Sequence, residues 1–252
     1  MVLAKMVTVV LSCSALLLSA CSQKPLSRIN HYVGGPGDSA SLAASAQPAS
    51  ISGPITAGLV FINDTSAAGP ATVLSEKARA FLTQQVRGRV EGATPIRIAQ
   101  VLTAGSASQP QGPEGLAKLA REQGLTHLLV AVFSSDESEI PTYLPLTGDP
   151  EQGGSRPGVP GFEAVNYALA ELALVDSRSG QVVARADGRA WARLNRLYVP
   201  KISNSYPVIH RSLRVAPIYP PETEAKDVLR SLAADEALEQ AATKLHEAWA
   251  KS

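Results

Sequence analysis

Short apolar runs alternate with amphipathic stretches along the first half of the chain, and this alternation predicts strands separated by helices. An apolar run of about seven residues that ends in a polar turn is typical of a buried strand. Three such runs occur: Gly58–Asn63, Ile96–Leu102 and His127–Phe133. Between them, apolar residues at three- and four-residue spacing predict one helix that ends before Gly92 and a second over residues 113–124. The third run is apolar on both faces, so we expect its strand at the centre of the sheet.

The second half of the chain predicts a hairpin and a final helix. Val165–Val175 and Gln181–Leu194 are strand candidates, joined by the turn Asp176–Gly180, whose Asp can accept backbone N–H bonds and whose Gly can take a positive φ. An apolar stripe over Thr223–Ala250 predicts a helix with Thr223 as its N-cap. The order β-α-β-α-β, then a β-hairpin, then α predicts an α/β domain over residues 55–252, with helices packed on a mixed sheet.

Two segments between these elements are too rich in proline and glycine for a regular structure. Residues 134–162 hold five prolines and five glycines and are predicted to form a long loop, and residues 198–221 carry five prolines and are predicted to cross the domain irregularly. Tyr143, Leu144 and Leu146 lie among the prolines of the first segment. Either these stiffened apolar side chains dock a partner, at little cost in entropy, or they fold back over the sheet.

The start of the chain carries a targeting pattern. Lys5 precedes an apolar run of 13 residues, Met6–Leu18, and two small residues then lead to Cys21. The run is shorter than the roughly 20 residues that span a bilayer core. The segment resembles a bacterial lipoprotein signal peptide, which implies cleavage between Ala20 and Cys21, a lipid on the Cys21 thiol and an acyl chain such as palmitate on its amino group. The alternative is an ordinary signal peptide or a buried N-terminal helix.

Residues 21–54 follow as a lipidated, flexible tether. They are rich in Ser, Ala, Gly and Pro and have few large apolar residues, so they are expected to form no core. A chain of this length spans about 30 Å on average, which would hold the folded domain clear of the lipid surface. Ser22 follows the lipidated cysteine, where an aspartate would favour retention in the inner membrane of enterobacteria, so the expected location is the outer membrane.

Charge and cysteine content narrow the function. Loss of residues 1–20 would leave 22 basic and 22 acidic residues and no free thiol or disulfide, so the core alone holds the fold. Neutral charge argues against nucleic acid as a partner. Basic residues exceed acidic ones by six over 185–214, and Arg185, Arg189 and Arg193 share strand parity and thus one sheet face. They would suit lipid headgroups, peptidoglycan carboxylates or an acidic protein, unless the acidic last helix balances them.

Patterns that carry catalysis are not found in the sequence. The histidines at 31, 127, 210 and 246 are scattered, and no nucleophile, metal or phosphate-binding motif occurs, so we predict no enzymatic activity, cofactor or metal. Two alternatives stay open. Carboxylates such as Asp136, Glu137 or Glu163 could serve an enzyme that acts on envelope polymers if two of them lie about 5–10 Å apart. An apolar pocket would indicate a small-ligand sensor.

The whole layout resembles a group of outer-membrane lipoproteins. The lipidation segment, the tether, the strands Ala57–Asn63 and His127–Phe133, and the hairpin Leu174–Val183 are similar to those of the rhombotarget lipoproteins. They also resemble the periplasmic α/β domain of the curli-assembly secretion lipoprotein and of a lipoprotein activator of penicillin-binding proteins. The lipidation segment, the tether and the lack of catalytic motifs support the hypothesis of a non-enzymatic lipoprotein that is anchored by Cys21, faces the periplasm and binds a protein partner in envelope assembly or maintenance. The secretion lipoprotein forms a pore from long hairpins, a role not expected here because residues 134–162 are too rich in Pro and Gly.

Overall fold

One six-stranded sheet with helices on both faces organises the protein in a computed structural model. The structure describes residues 25–34, 54–66, 73–102, 112–145, 158–199 and 203–250. The elements in chain order are α1 (Ile29–Val33), β1 (Ile55–Asn63), α2 (Glu76–Ala93), β2 (Ile96–Leu102), α3 (Gly112–Glu122), β3 (His127–Leu144), β4 (Val159–Asp176), β5 (Val182–Leu197), β6 (Val208–Arg211), a 3-10 turn (Glu222–Glu224) and α4 (Ala225–Ala250).

The strand order is β2-β1-β3-β4-β5-β6. β1 pairs in parallel with β2 and β3, whereas β3, β4, β5 and β6 pair in antiparallel fashion. The mixed α/β sheet predicted from the sequence is therefore confirmed. The turn at Asp176–Gly180 forms as expected, because the Asp176 carboxylate accepts the backbone N–H of Arg178 at 2.7 Å and Gly180 has a φ of 70°. That N–H bond also holds the pKa of Asp176 below its usual value.

Helices cover the two faces of the sheet unequally. Helices α2 and α4 bury one face, which we call the α4 face, and contribute residues such as Leu82 and Leu229 to the larger core. Helices α1 and α3 bury part of the other face, which we call the α1 face, with residues such as Ile29 and Leu116. Because β3 lies between both layers, its residues 128–133 are all apolar and buried, on both faces of the sheet, as the sequence predicted.

Helix α4 approaches β5 very closely, because small residues line both elements. A methyl group built on Gly188 of β5 would lie 2.0 Å from the carbonyl oxygen of Ala237 and 2.6 Å from the backbone nitrogen of Ala241. Alanines occupy most of the contact on both sides. Position 188 therefore has no room for any side chain.

The long loop predicted over residues 134–162 is wrong at both ends. β3 continues to Leu144 and pairs with β4 from Val159 onward in one uninterrupted ladder. Beyond Phe133 none of the described strands pairs with it on the β1 side, so among the described residues it is an edge strand, where Pro141 is tolerated. Half of the prolines and glycines of the segment fall within residues 146–157, outside the described residues. The Pro and Gly content of residues 134–162 predicted that no strand ladder forms there, and this was the argument against a pore. The ladder between β3 and β4 forms, so that argument does not hold.

The irregular segment predicted over residues 198–221 contains a strand. β6 pairs with β5, and Ile218 forms a further bridge with Ile209. Four residues are too few to give a readable alternation, which is why the sequence did not reveal this strand. Thr223 is not the N-cap of the last helix, because it lies inside the 3-10 turn and α4 begins at Ala225.

The tether predicted over residues 21–54 is wrong for residues 25–34, which dock on the α1 face. Ile29, Tyr32 and Val33 of α1 are buried in the core of that face. Cys21, the segment 1–20 and most of the tether lie outside the described residues. Among the helices that the structure describes, none combines the length and apolar character needed to cross a membrane.

Candidate functional site

The strands β3, β4 and β5 extend beyond the helix that covers them. On the α4 face, the first turns of α4 reach the outer half of β3 through two ion pairs. The Arg230 guanidinium binds both carboxylate oxygens of Glu137, at 2.8 and 3.1 Å, and Lys226 contacts Glu139 at 2.6 Å. The pairing with Glu137 raises the pKa of Arg230, so the Arg230 guanidinium stays protonated. Past this point the described helices leave the sheet uncovered.

Aromatic side chains and a proline occupy the uncovered end. Tyr143 of β3 lies opposite Pro160 of β4, and the backbone N–H of Tyr198 donates to the carbonyl oxygen of Pro160 at 3.2 Å, so these three residues form one row across three chain segments. The ring of Phe162 meets that of Tyr198 edge to face, with centroids 5.0 Å apart. We call Tyr143, Pro160, Phe162 and Tyr198 the tip patch.

The tip patch has the composition of a protein interface. Tyr143 is 74% exposed and Tyr198 is 54% exposed, although both carry large apolar surfaces. The Arg196 guanidinium lies 4.1 Å from the centre of the Phe162 ring and is held there by Glu222 at 3.4 Å. Tyrosine and arginine are enriched where proteins bind each other, because they combine apolar area with polar ends.

The side chain of Leu144 lies on the opposite face of the sheet from that of Tyr143. It is buried on the α1 face in a small cluster with Leu197, Tyr206 and Val208. The Tyr206 hydroxyl donates to the carbonyl oxygen of Pro145 at 2.6 Å, and burial raises the pKa of Tyr206. Leu144 thus folds onto the sheet, whereas Tyr143 is exposed and its role as a partner contact stays a prediction. Leu146 lies outside the described residues.

Arg185, Arg189 and Arg193 lie on one face, the α1 face, as their parity predicted. Arg185 donates to the side chain of Asn30, and Arg189 donates to the carbonyl oxygen of Pro25 at 2.9 Å. Arg193 contacts Glu163 at 3.5 Å and lies over the ring of Trp191. Arg189 and Arg193 stay exposed, and their role as partner contacts remains a prediction.

The remaining arginines of the basic stretch are paired with acidic residues near the end of the chain. The pairs are Arg196 with Glu222, Arg211 with Glu236 and Arg214 with Glu239. The first of these acids lies in the 3-10 turn and the other two in α4. Acidic residues near the end of the chain therefore neutralise the positive charges of these three arginines, which is the alternative that the sequence left open. The excess charge over 185–214 does not form an open cationic surface at these three positions.

The carboxylates considered for catalysis are separated. Glu137 faces α4, whereas Asp136 and Glu163 point to the α1 face and lie four residue rows apart, about 13 Å along the strands. Glu137 and Glu163 are engaged by Arg230 and Arg193. Within the described residues no three His, Cys, Asp or Glu side chains come together as metal ligands.

Two buried carboxylates that the sequence analysis missed hold the docked N-terminal segment. Glu171 of β4 accepts the Ser27 hydroxyl and the backbone N–H groups of Arg28 and Ile29, at 2.5, 2.7 and 3.2 Å. Burial raises the pKa of Glu171 more than these bonds lower it. Glu171 interrupts an otherwise apolar run over residues 168–175, and this pattern in the sequence indicates a buried charge that needs partners.

Asp64, directly after β1, is the second buried carboxylate that holds the docked N-terminal segment. It accepts the hydroxyl of Tyr32 at 3.1 Å and both the N–H and the hydroxyl of Ser66. Burial pushes the pKa of Asp64 upward, but the hydrogen bonds from Ser66 and Tyr32 outweigh it and the pKa lies below its usual value. The Tyr32 phenol, buried beside this charge, has a raised pKa and stays protonated.

Comparison with known proteins finds only loose structural likeness. No protein-family model matches the chain, and no curated protein matches it. A PelC dodecamer from Paraburkholderia phytofirmans is similar with a TM-score of 0.31 and 13% identity, over 78% of this chain and 94% of that one. The LpoB C-terminal domain from Salmonella enterica is similar with a TM-score of 0.26 and 12% identity, over 57% of this chain and 87% of that one. The hypothetical protein CT253 from Chlamydia trachomatis is similar with a TM-score of 0.25 and 11% identity, over 77% of this chain and 94% of that one. Scores this low carry no argument about function.

Proposed function

We propose that this protein is a lipid-anchored lipoprotein of the bacterial outer membrane that faces the periplasm, has no enzymatic activity and binds a protein partner in envelope assembly or maintenance. The lipoprotein-like segment that ends at Cys21 supports the anchor. Two or three acyl chains on one residue make a durable attachment to a membrane. The α/β domain supplies the binding surface.

The tip patch is the observation that carries the binding role. Tyr143, Pro160 and Tyr198 present a continuous row of rigid apolar groups at the end of the sheet, beyond the reach of α4. Rings held by strands, and a proline with a fixed φ, lose little conformational freedom when a partner covers them. Arg196 adds a cation that is already positioned by Glu222. A partner with an apolar segment next to a carboxylate fits this surface.

Site-specific crosslinking in the intact envelope tests the binding role. A photoreactive residue at position 143 of the full, lipid-modified chain should give a discrete crosslinked protein, and Tyr198→Ser should reduce that product at least fivefold. The same photoreactive residue at Val101, an exposed apolar position on the edge strand β2 and outside the tip patch, is the matched control. Equal products at positions 143 and 101, or none at either, would reject the tip patch as the binding surface.

Metabolic labelling with a clickable palmitate analogue tests the anchor separately. Cys21→Ser should abolish both labelling and retention in the membrane fraction. Cys13→Ser is the matched control, because only about six apolar residues precede Cys13, fewer than the 7–15 residues of a usual apolar region. Labelling that survives in the Cys21→Ser protein would overturn the proposed localisation.

A further inference from the structure

The segment just after the proposed lipid attachment point is part of the fold. Glu171 accepts hydrogen bonds from Ser27, Arg28 and Ile29, and the side chain of Ile29 is buried beneath them. Tyr32 reaches Asp64 at the end of β1. Contacts of this kind leave residues 27–32 no freedom to act as a flexible linker.

Arginines of β5 fix both ends of the same segment. The Arg189 guanidinium donates to the carbonyl oxygen of Pro25 at 2.9 Å. Arg185 donates to the side chain of Asn30 at 2.6 Å and contacts the carbonyl oxygen of Gly34 at 3.5 Å. We call residues 25–34 the collar, because β1, β4 and β5 all hold it.

The length of chain before the collar is short. Cys21 lies four residues before Pro25. Four residues span at most about 14 Å when fully extended. A lipid on Cys21, which the proposed function requires, would therefore be held within about 14 Å of the α1 face, whereas the sequence predicted an average span of about 30 Å.

We infer that the collar seats the domain directly on the phospholipid surface, with a fixed orientation. The contact would be made by Leu26 and Arg189, which we call the anchor corner. Leu26 is 66% exposed, an unusual state for a leucine in a docked segment, and lies five residues from the acylated position. Arg189 is exposed, and its guanidinium contacts Pro25, the neighbour of Leu26. An exposed apolar side chain beside a guanidinium group matches the boundary between acyl chains and phosphate headgroups.

The orientation also places the tip patch. The row that contains Arg189 includes Ser134 of β3, and Tyr143 lies nine residues further along that strand. Nine residues of strand correspond to about 30 Å. The anchor corner and the tip patch therefore lie at separate places on the domain, so that a partner can reach Tyr143 without displacing the lipid contact.

The first experiment tests the collar without any lipid. In the full chain carrying Cys21→Ser, amide hydrogen exchange at Arg28 and Ile29 should be at least 100-fold slower than in an unstructured peptide. Glu171→Ala should remove that protection. Glu163→Ala is the matched control, since it removes a carboxylate from the same strand and face that contacts Arg193 and not the collar. Unprotected amides at Arg28 and Ile29 in the parent chain would overturn the inference.

The second experiment tests the lipid contact in the acylated protein. The mature chain has no other free thiol, so a fluorophore on Leu26→Cys reports one position. In vesicles of phosphatidylethanolamine and phosphatidylglycerol, lipids with a quencher near the headgroup should quench it at least threefold more than a fluorophore on Val215→Cys. Val215 is 98% exposed beside α4, on the opposite face. Equal quenching at the two positions would overturn the inference.

The two proposals fail in different ways. If mass spectrometry shows no acyl group on Cys21, the proposed anchor is wrong and the collar is judged by hydrogen exchange alone. If Cys21 is acylated but the fluorophore at position 26 behaves like that at position 215, the anchor stands and the seating of the domain on the membrane is wrong.

Discussion

The carboxylate of Glu171 accepts the backbone N–H of Arg28 at 2.7 Å, although 143 positions separate the two residues in the chain. The contact joins the interior of the sheet to a stretch whose composition predicted a free tether. It explains why a charged side chain is tolerated in β4, because three donors converge on it. It also gives the domain a titratable group at a structural junction.

Glu171 should make stability fall as pH rises above the ordinary glutamate range. Burial raises the pKa of Glu171 above its usual 4.5, so the folded state keeps a proton that the unfolded chain loses. The contribution of Glu171 to stability is fully present below pH 4.5 and is lost as pH rises through the higher pKa that Glu171 has in the folded state. Urea unfolding between about pH 4 and 8 should show that Glu171→Gln removes this loss.

Asp176→Asn is the comparison of opposite sign. Hydrogen bonding by the backbone N–H of Arg178 lowers the pKa of Asp176, so its contribution is present at neutral pH and is lost as pH falls through the folded value. Glu171→Gln should therefore gain stability relative to the parent as pH rises, whereas Asp176→Asn should be less stable than the parent at neutral pH and approach it only as pH falls below the usual aspartate value of 3.8. A Glu171→Gln protein that follows the pH profile of the parent would show that Glu171 is not the group responsible.

Gly188→Ala should destabilise the protein by about 3 kcal/mol, the upper part of the range for an overpacked core. The new methyl group would lie 2.0 Å from the Ala237 carbonyl oxygen, so α4 must move away from β5. Gly88→Ala in α2 is the control, because nothing lies within 4 Å of that position, and it should stabilise by about 0.5–1 kcal/mol. Chemical unfolding midpoints measure both, and similar midpoints for the two variants would contradict the close packing of α4.

Two ion pairs one helical turn apart should differ in their contribution to stability. Glu137→Gln breaks the well-buried, bidentate pair with Arg230 and should cost about 3 kcal/mol. Glu139→Gln breaks the more exposed pair with Lys226 and should cost less than about 1 kcal/mol. Unfolding free energies at low and high salt distinguish them, because salt screens the exposed pair. Equal losses for the two variants would show that burial at Glu137 is not decisive.

Tyr143 and Leu144 are adjacent in sequence but should respond differently to truncation. Leu144→Ala removes a buried side chain from the small cluster at the sheet end and should cost about 2 kcal/mol, the low end for core leucines. Tyr143→Ala should change stability by less than about 0.5 kcal/mol, because the ring is exposed, yet it should impair crosslinking at Tyr198. Thermal unfolding and crosslinking of the same proteins check this, and a strongly destabilised Tyr143→Ala protein would contradict an exposed ring.

Features that depend on neighbouring residues could be read from the sequence. β2 lies at Ile96–Leu102 as predicted, and the turn at Asp176–Gly180 forms, because apolar spacing and turn chemistry are properties of short segments. The shared face of Arg189 and Arg193 follows from strand parity in the same way. The mixed sheet follows from the order of these local elements.

Only the tertiary structure decided where distant segments meet. The second half of β3 exists because β4 pairs with it, and no spacing within residues 134–144 predicts that partner. Exposure of Tyr143 and burial of Leu144 depend on that strand and on Tyr206, far along the chain. The collar docks because Glu171, Asp64 and two arginines of β5 converge on it, and a pattern read along the sequence holds no information about which distant groups will satisfy a buried charge.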